Sequence, residues 1–151
     1  MKPSFYSLVA AIYALIALSG CTTSTTLGSM STTQAIALST PIVSGGVALV
    51  LRNNPKYLTI AQTVGTDLAS SDFKDLTTVG VSAAVTAAVT KAGGDAAISS
   101  ILSATVTAGL ATYLEAVGES ALAKDPFAQT VLQDLGGAIS AGAALAAANP
   151  K

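Results

Sequence analysis

The run from Asp95 to Val117, DAAISSILSATVTAGLATYLEAV, decides the fold. Its large apolar residues, Ile98, Ile101, Leu102, Val106, Leu110, Tyr113, Leu114 and Val117, recur at steps of three and four. That spacing puts them on one face of an α-helix. Ser99, Ser100, Ser103, Thr107, Thr112 and Glu115 fall elsewhere, so the back of this helix is weakly polar. Gly93-Gly94 break the preceding element. Asp95 has the short acceptor side chain that satisfies a free N–H at a helix start.

Working outward, residues 79–90 carry two periods at once. Val79, Val81, Ala83, Val85, Ala87 and Val89 alternate with small or hydroxylated residues, as in a strand. Val81, Val85, Val89 and Ala92 also make a helical stripe. No second convincing strand stands elsewhere to pair the backbone of a lone one, so helix is the better reading. On the other side, Asp125-Pro126 reads as cap plus first-turn proline. The helix it opens runs through Phe127, Val131, Leu132, Leu135, Ile139 and Leu145 to Asn149-Pro150.

Asn54-Pro55 has the same form, followed by Tyr57, Ile60, Ala61, Val64 and Leu68 at helical spacing and an end near Ser70. Ahead of it, 34–51 is apolar, with Pro41 marking a kink or a late helix start. Aligning Pro55 with Pro126 brings Thr59-Ile60, Gln62, Val64-Gly65 and Leu68 onto Thr130-Val131, Gln133, Leu135-Gly136 and Ile139. A duplicated helical hairpin would explain this echo, and so would shared helix grammar. The expected fold is all-α, a bundle of four to five helices over 34–149. Gly136, Gly137 and Gly142 among alanines point to close helix–helix contact.

Composition agrees. Charged residues make up 10 % of the chain against roughly 25 % in an average soluble domain. Apolar residues reach 51 %, much of it alanine, with no Trp. A core of this kind packs by close approach of small side chains.

The chain opens MKPSFYSLVAAIYALIALSGC. Lys2 supplies a positive start, Phe5–Leu18 an apolar run of 14 residues, and Ser19-Gly20 small residues before the only cysteine. The run is short of the ~20 residues that span a bilayer. An ordinary secretory signal would not need cysteine just after the cut. Leu18-Ser19-Gly20-Cys21 resembles the lipobox of the bacterial lipoprotein class. The resemblance implies cleavage between Gly20 and Cys21, removal of 1–20, and a diacylglycerol on the Cys21 sulfur, with the amino group commonly acylated too. Thr22 is not the aspartate that the class associates with inner-membrane retention. The implied location is therefore the periplasmic face of the outer membrane in a diderm host. No family resemblance extends into 22–151.

Removing 1–20 leaves 131 residues, enough for one domain. Of the seven basic residues only Lys2 lies in the leader, leaving six against eight acids, a formal charge of −2. No basic patch exists to bind nucleic acid. Residues 21–33, CTTSTTLGSMSTT, read as lipidated cysteine and a Ser/Thr-rich tether.

Histidine is absent, which removes Ser–His–Asp catalysis and His-ligated metals. A lipidated Cys21 leaves no thiol for a disulfide or metal. Two carboxylate clusters could in principle do acid–base work or hold a hard cation, Asp72 with Asp75 and Glu115 with Glu119. With so few charges, solvated surface is the better reading of both. Gly45-Gly46, Gly93-Gly94 and Gly136-Gly137 lack the lysine and spacing of a phosphate loop. Tyr57, Phe73, Tyr113 and Phe127 read as core or rim packing. No cofactor and no small-molecule substrate is indicated.

The expectation is a non-enzymatic envelope lipoprotein, anchored to the membrane by lipid, whose helical domain contacts an envelope protein. The alternative is a membrane-active protein whose segments at 35–51 and 95–114 enter the bilayer. Each lies near the lower length limit for a span and carries hydroxyls. A hydrolase or metal-dependent enzyme would need activity lost on Asp72→Ala or Glu115→Ala.

Overall fold

In the computed structural model, which describes residues 30–149, the Asp95 carboxylate accepts hydrogen bonds from the N–H groups of Ala97 and Ile98. The helix it caps, Ala96–Val117, ends on Gly118, whose φ of 75° is the left-handed conformation that glycine adopts without strain. Four more helices surround it. In chain order they are α1 (Thr32–Asn53), α2 (Leu58–Ala69), α3 (Thr78–Lys91), α4 (Ala96–Val117) and α5 (Ala128–Ala148). Single 3-10 turns at Pro55–Tyr57 and Leu122–Lys124 lead into α2 and toward α5. No strand occurs among the described residues. The molecule is a small all-α bundle, and 79–90 is helical, as the lone-strand argument requires.

Two crossings set the topology. A side chain at Gly46 would meet Thr105, and one at Gly109 would meet Val43, so α1 and α4 run antiparallel. Met30 N–H donates to the Ala116 carbonyl at 3.3 Å, fixing the start of α1 beside the end of α4. Gly65 faces Ser140 and Gly136 faces Leu68 and Ala69, so α2 and α5 are antiparallel too. Gly142 sits against Ser44 and Val47 of α1. Helix α5 thus lies along both α1 and α2, and α3 completes the bundle against α4 and α2.

The core is aliphatic: Val43, Val47, Leu51, Val64, Val85, Val89, Ile98, Leu102, Leu110, Leu132, Leu135 and Ile139 are buried. On α4 the expected face holds through Ile98, Leu102, Val106, Leu110 and Tyr113. Ile101, Leu114 and Val117 are only partly buried, whereas Thr105, Gly109 and Ala116 are fully covered. Small residues occupy the line of closest helix approach, and the larger ones flank it. Gly136 and Gly142 take that role on α5 as expected; Gly137 faces open space.

Several element starts differ from expectation. Helix α1 begins at Thr32 rather than 34, because Ser31 and Gln34 form a reciprocal capping box that consumes the last residues assigned to the tether. It then runs through Pro41 without restarting. Pro41 lies on the exposed side, where the carbonyl left without an amide partner faces outward. Asn54 serves both sides. Its N–H reaches the Leu51 carbonyl and its amide the Val50 carbonyl to close α1. Its own carbonyl accepts from Tyr57 N–H as the N-cap of the 3-10 turn that Pro55 opens, without a side-chain cap bond. Asp125 makes an Asx turn to Phe127 N–H at 2.7 Å, and α5 starts only at Ala128. Phe127, read as core or rim packing, stands just before α5 and is half exposed, as is Leu145 near its end.

The echo between 55–68 and 126–139 survives at one contact and no further. Its paired glycines, Gly65 and Gly136, both sit at the α2–α5 crossing. A duplicated hairpin would make α4 pack on α2 as α1 packs on α5. Helix α5 lies along α1, but α2 and α4 scarcely touch. The bundle is not pseudo-symmetric.

Candidate functional site

Cys21, the Gly20–Cys21 cleavage position and residues 22–29 lie outside the described residues. The remaining candidate groups fall into four places.

The first is a cleft of about 440 Å³ between the end of α2, the 70–77 loop and α3, lined by Asp67, Asp72, Phe73, Lys74, Asp75 and Lys91 among others. Lys91 Nζ pairs with Asp67 Oδ2 at 2.8 Å. Lys91 is mostly exposed, so water screens the pair and it contributes little stability. Asp75 accepts from the Thr77 hydroxyl at 2.6 Å and the Thr77 N–H at 2.9 Å. The Thr77 hydroxyl bond, then the backbone one, hold its carboxyl below the usual carboxylate range. Thr77 in turn caps α3 at Gly80 N–H. The Asp75 carboxylate packs where a Gly80 side chain would sit. Asp75 is thus part of a helix cap, and Asp72 beside it is exposed. The loop is latched to α5 by Gln129, which accepts from Phe73 N–H and donates to the Ser71 carbonyl at 2.7 Å.

The second place is Glu115 and Glu119. Both are exposed; Glu119 lies beyond the end of α4, its N–H bonded to the Leu114 carbonyl, so the pair does not share a helix face. The third is a hydroxyl-lined groove between α3 and α4, with Ser82, Thr86, Thr90, Ser99 and Ser103 on its walls. Thr86 and Ser99 bond to each other across it at 3.2 Å.

The fourth is at the other end of the bundle, where Tyr113 is fully buried near Asp125 and Thr32. Its hydroxyl faces Asp125 and Thr32 without a well-formed hydrogen bond to any described residue. Burial, and then the Asp125 carboxylate, push its pKa up to about 12. Tyr57 behaves oppositely: its hydroxyl donates to Asp95 Oδ2 at 2.6 Å, and Lys56 Nζ lies 4.5 Å from its ring centre. The Tyr57 bond, followed by the Ile98 N–H, lowers the Asp95 pKa. Of the four aromatics, Tyr57 and Tyr113 are core, Phe73 is half buried and Phe127 is exposed.

The hydrogen-bonded carboxylates Asp67, Asp75, Asp95 and Asp125 thus meet hydroxyls, backbone amides and one lysine. No group of three His, Cys, Asp or Glu side chains is placed to hold a metal among the described residues. The Asp67–Lys91 and Tyr57–Asp95 pairs, 24 and 38 residues apart, have no signature in the sequence. Comparison with family models, with curated proteins and with solved structures finds no match to this chain.

Proposed function

We propose that this chain is an envelope lipoprotein, held at the membrane surface by lipid on Cys21 and acting through protein contacts rather than catalysis. The observation that carries the reading is the lone cysteine directly behind an apolar run and Leu18-Ser19-Gly20. One acyl chain binds a membrane only marginally, while two or more anchor it stably, so the polypeptide need supply no anchor of its own. Asp75, a candidate for chemistry, instead holds Thr77, the cap of α3, which supports a structural role for it. With Thr22 after the cysteine, the periplasmic face of the outer membrane is the proposed location in a diderm host.

The full chain expressed in such a host tests this. Its intact mass should equal residues 21–151 plus a diacylglycerol and an amide-linked acyl chain. Cys21→Ser should leave the unprocessed mass and abolish acyl labelling. Crosslinking in cells should recover an envelope protein; a chain that stays monomeric and uncrosslinked would sink the protein-contact half of the proposal.

A second reading has one observation in its favour. Thr32–Asn53, Ala96–Val117 and Ala128–Ala148 are each long and apolar enough to cross a membrane. Against insertion stands the use these helices make of their apolar faces, which build the common core. A Cys21→Ser variant without residues 1–20 decides between them: helical and soluble in buffer under the first reading, dependent on detergent under the second.

A further inference from the structure

Helix α1 packs on α4 through Ser39, Val43 and Gly46 and on α5 through Ser44 and Val47. Its opposite face has no neighbour among the described residues. Ala37, Leu38, Pro41, Gly45 and Leu49 lie there at steps of three and four, and all are exposed, Leu38 by 42 % and Leu49 by 40 %. We propose that this outer face of α1 rests in the interfacial layer of the bilayer that holds the anchor. The inference depends on the lipoprotein reading of Cys21.

Three observations choose the bilayer over other occupants. Only nine residues separate Cys21 from the Ser31 cap of α1, a reach of at most ~30 Å extended and about 17 Å as a coil. Helix α1 is itself about 33 Å long, so its whole length is available to the membrane once it lies flat. The charge distribution points the same way. Residues 22–51 contain no charged side chain, and the first, Arg52, stands at the far end of the helix. The ionic cleft of Asp67, Lys74, Asp75 and Lys91 belongs to α2, α3 and their connecting loop, while α1 packs on α4 and α5. Placing α1 on lipid therefore leaves that cleft in water. Arg52, one turn beyond Leu49 on the exposed side of the helix, can extend its long side chain to the headgroups. Interfacial helices usually carry lysine or arginine on their polar side. Here the other side of α1 is the protein core, and the acyl chains already supply the affinity, so a narrow uncharged stripe suffices.

The lipidated chain offers a direct test, since Cys21 is its only cysteine and an introduced thiol is the only one free to label. Leu38→Cys, Leu49→Cys and, as control, Val79→Cys on α3 (79 % exposed) would carry an environment-sensitive fluorophore. All three positions are exposed, and circular dichroism of each variant verifies the fold. The proteins are reconstituted in phosphatidylethanolamine–phosphatidylglycerol vesicles, with nitroxide-bearing lipid or aqueous iodide as quencher. Labels at 38 and 49 should lose most of their fluorescence to the lipid quencher and resist iodide; the label at 79 should do the reverse. Iodide quenching of 38 and 49 equal to that of 79 would place the face in water and overturn the proposal. Protection from both quenchers would place a second copy, or a retained segment of residues 5–18, on the face and overturn it equally. Intact mass of the purified chain separates this from failure of the underlying reading: a Cys21 without diacylglycerol removes the anchor itself.

Discussion

Tyr113 and Tyr57 show how one residue type takes opposite roles. The Tyr113 hydroxyl is buried beside Asp125 and Thr32 without a well-formed hydrogen bond among the described residues, a desolvation cost that phenylalanine would not carry. Tyr113→Phe should leave stability unchanged or raise it by up to about 1 kcal/mol in urea unfolding. Its ionisation also has a definite sign. The folded chain holds the phenolic proton up to about 12, while an unfolded tyrosine releases it near ~10. The associated stability is complete below the unfolded value and drains as pH rises from about 10 to about 12. Alkaline unfolding of Tyr113→Phe should lack that part of the loss. Asp95 follows the reverse rule. Its lowered pKa contributes stability at neutral pH that disappears as pH falls through its folded value, below the ordinary carboxylate range. Tyr57→Phe should move the Asp95 titration upward in a carboxylate NMR titration, and an unmoved curve would contradict the assigned bond.

At the scale of elements, glycine placement decides how closely the helices approach. A Cβ on Gly65 would lie 2.6 Å from the Ser140 backbone nitrogen, and one on Gly136 2.6 Å from that of Ala69. Backbone on a packed helix has nowhere to move. Gly65→Ala and Gly136→Ala should each destabilise by about 1–3 kcal/mol despite alanine's better helix propensity. Gly137 is the control: nothing lies within 4 Å of its Cβ position, so Gly137→Ala should stabilise by up to about 1 kcal/mol. Denaturant midpoints of the three variants measure this; equal shifts would refute the close crossing. The sequence shows glycines among alanines, but periodicity alone does not distinguish Gly136 from Gly137. One step along a helix turns a residue by 100°, from the contact line into solvent.

For the whole molecule, three helices with membrane-like composition fold into one bundle whose aliphatic core is shared. Deleting part of that core should be felt globally. Leu102→Ala should cost about 2–5 kcal/mol, and thermal unfolding followed at 222 nm should remain a single transition. A retained partial transition would mean that α4 is not common to one cooperative unit. The buried faces of α1, α4 and α5 meet in that one core, so none of the three folds independently of the others. Leu38 and Leu49 on the outer side of α1 stay out of that core, as do Val79, Phe127 and Leu145.

The sequence by itself determined the helical class and the main buried positions of α4, through a period that fixes which side chains share a face. It also determined Asp95 as a cap, since a short acceptor before an apolar period suits the free amides of a helix start. Chemistry was legible mostly by exclusion, from missing histidine and scattered charge. Only tertiary structure decided which helix neighbours which, and so that the Gly65–Gly136 echo is a crossing point and not the axis of a duplicated bundle. It also decided that Asn54 ends a helix, that Asp67 meets Lys91, and that Tyr57 reaches Asp95 while Tyr113 is sealed in the core. Those outcomes depend on contacts between residues far apart in the chain, and local spacing carries no information about them.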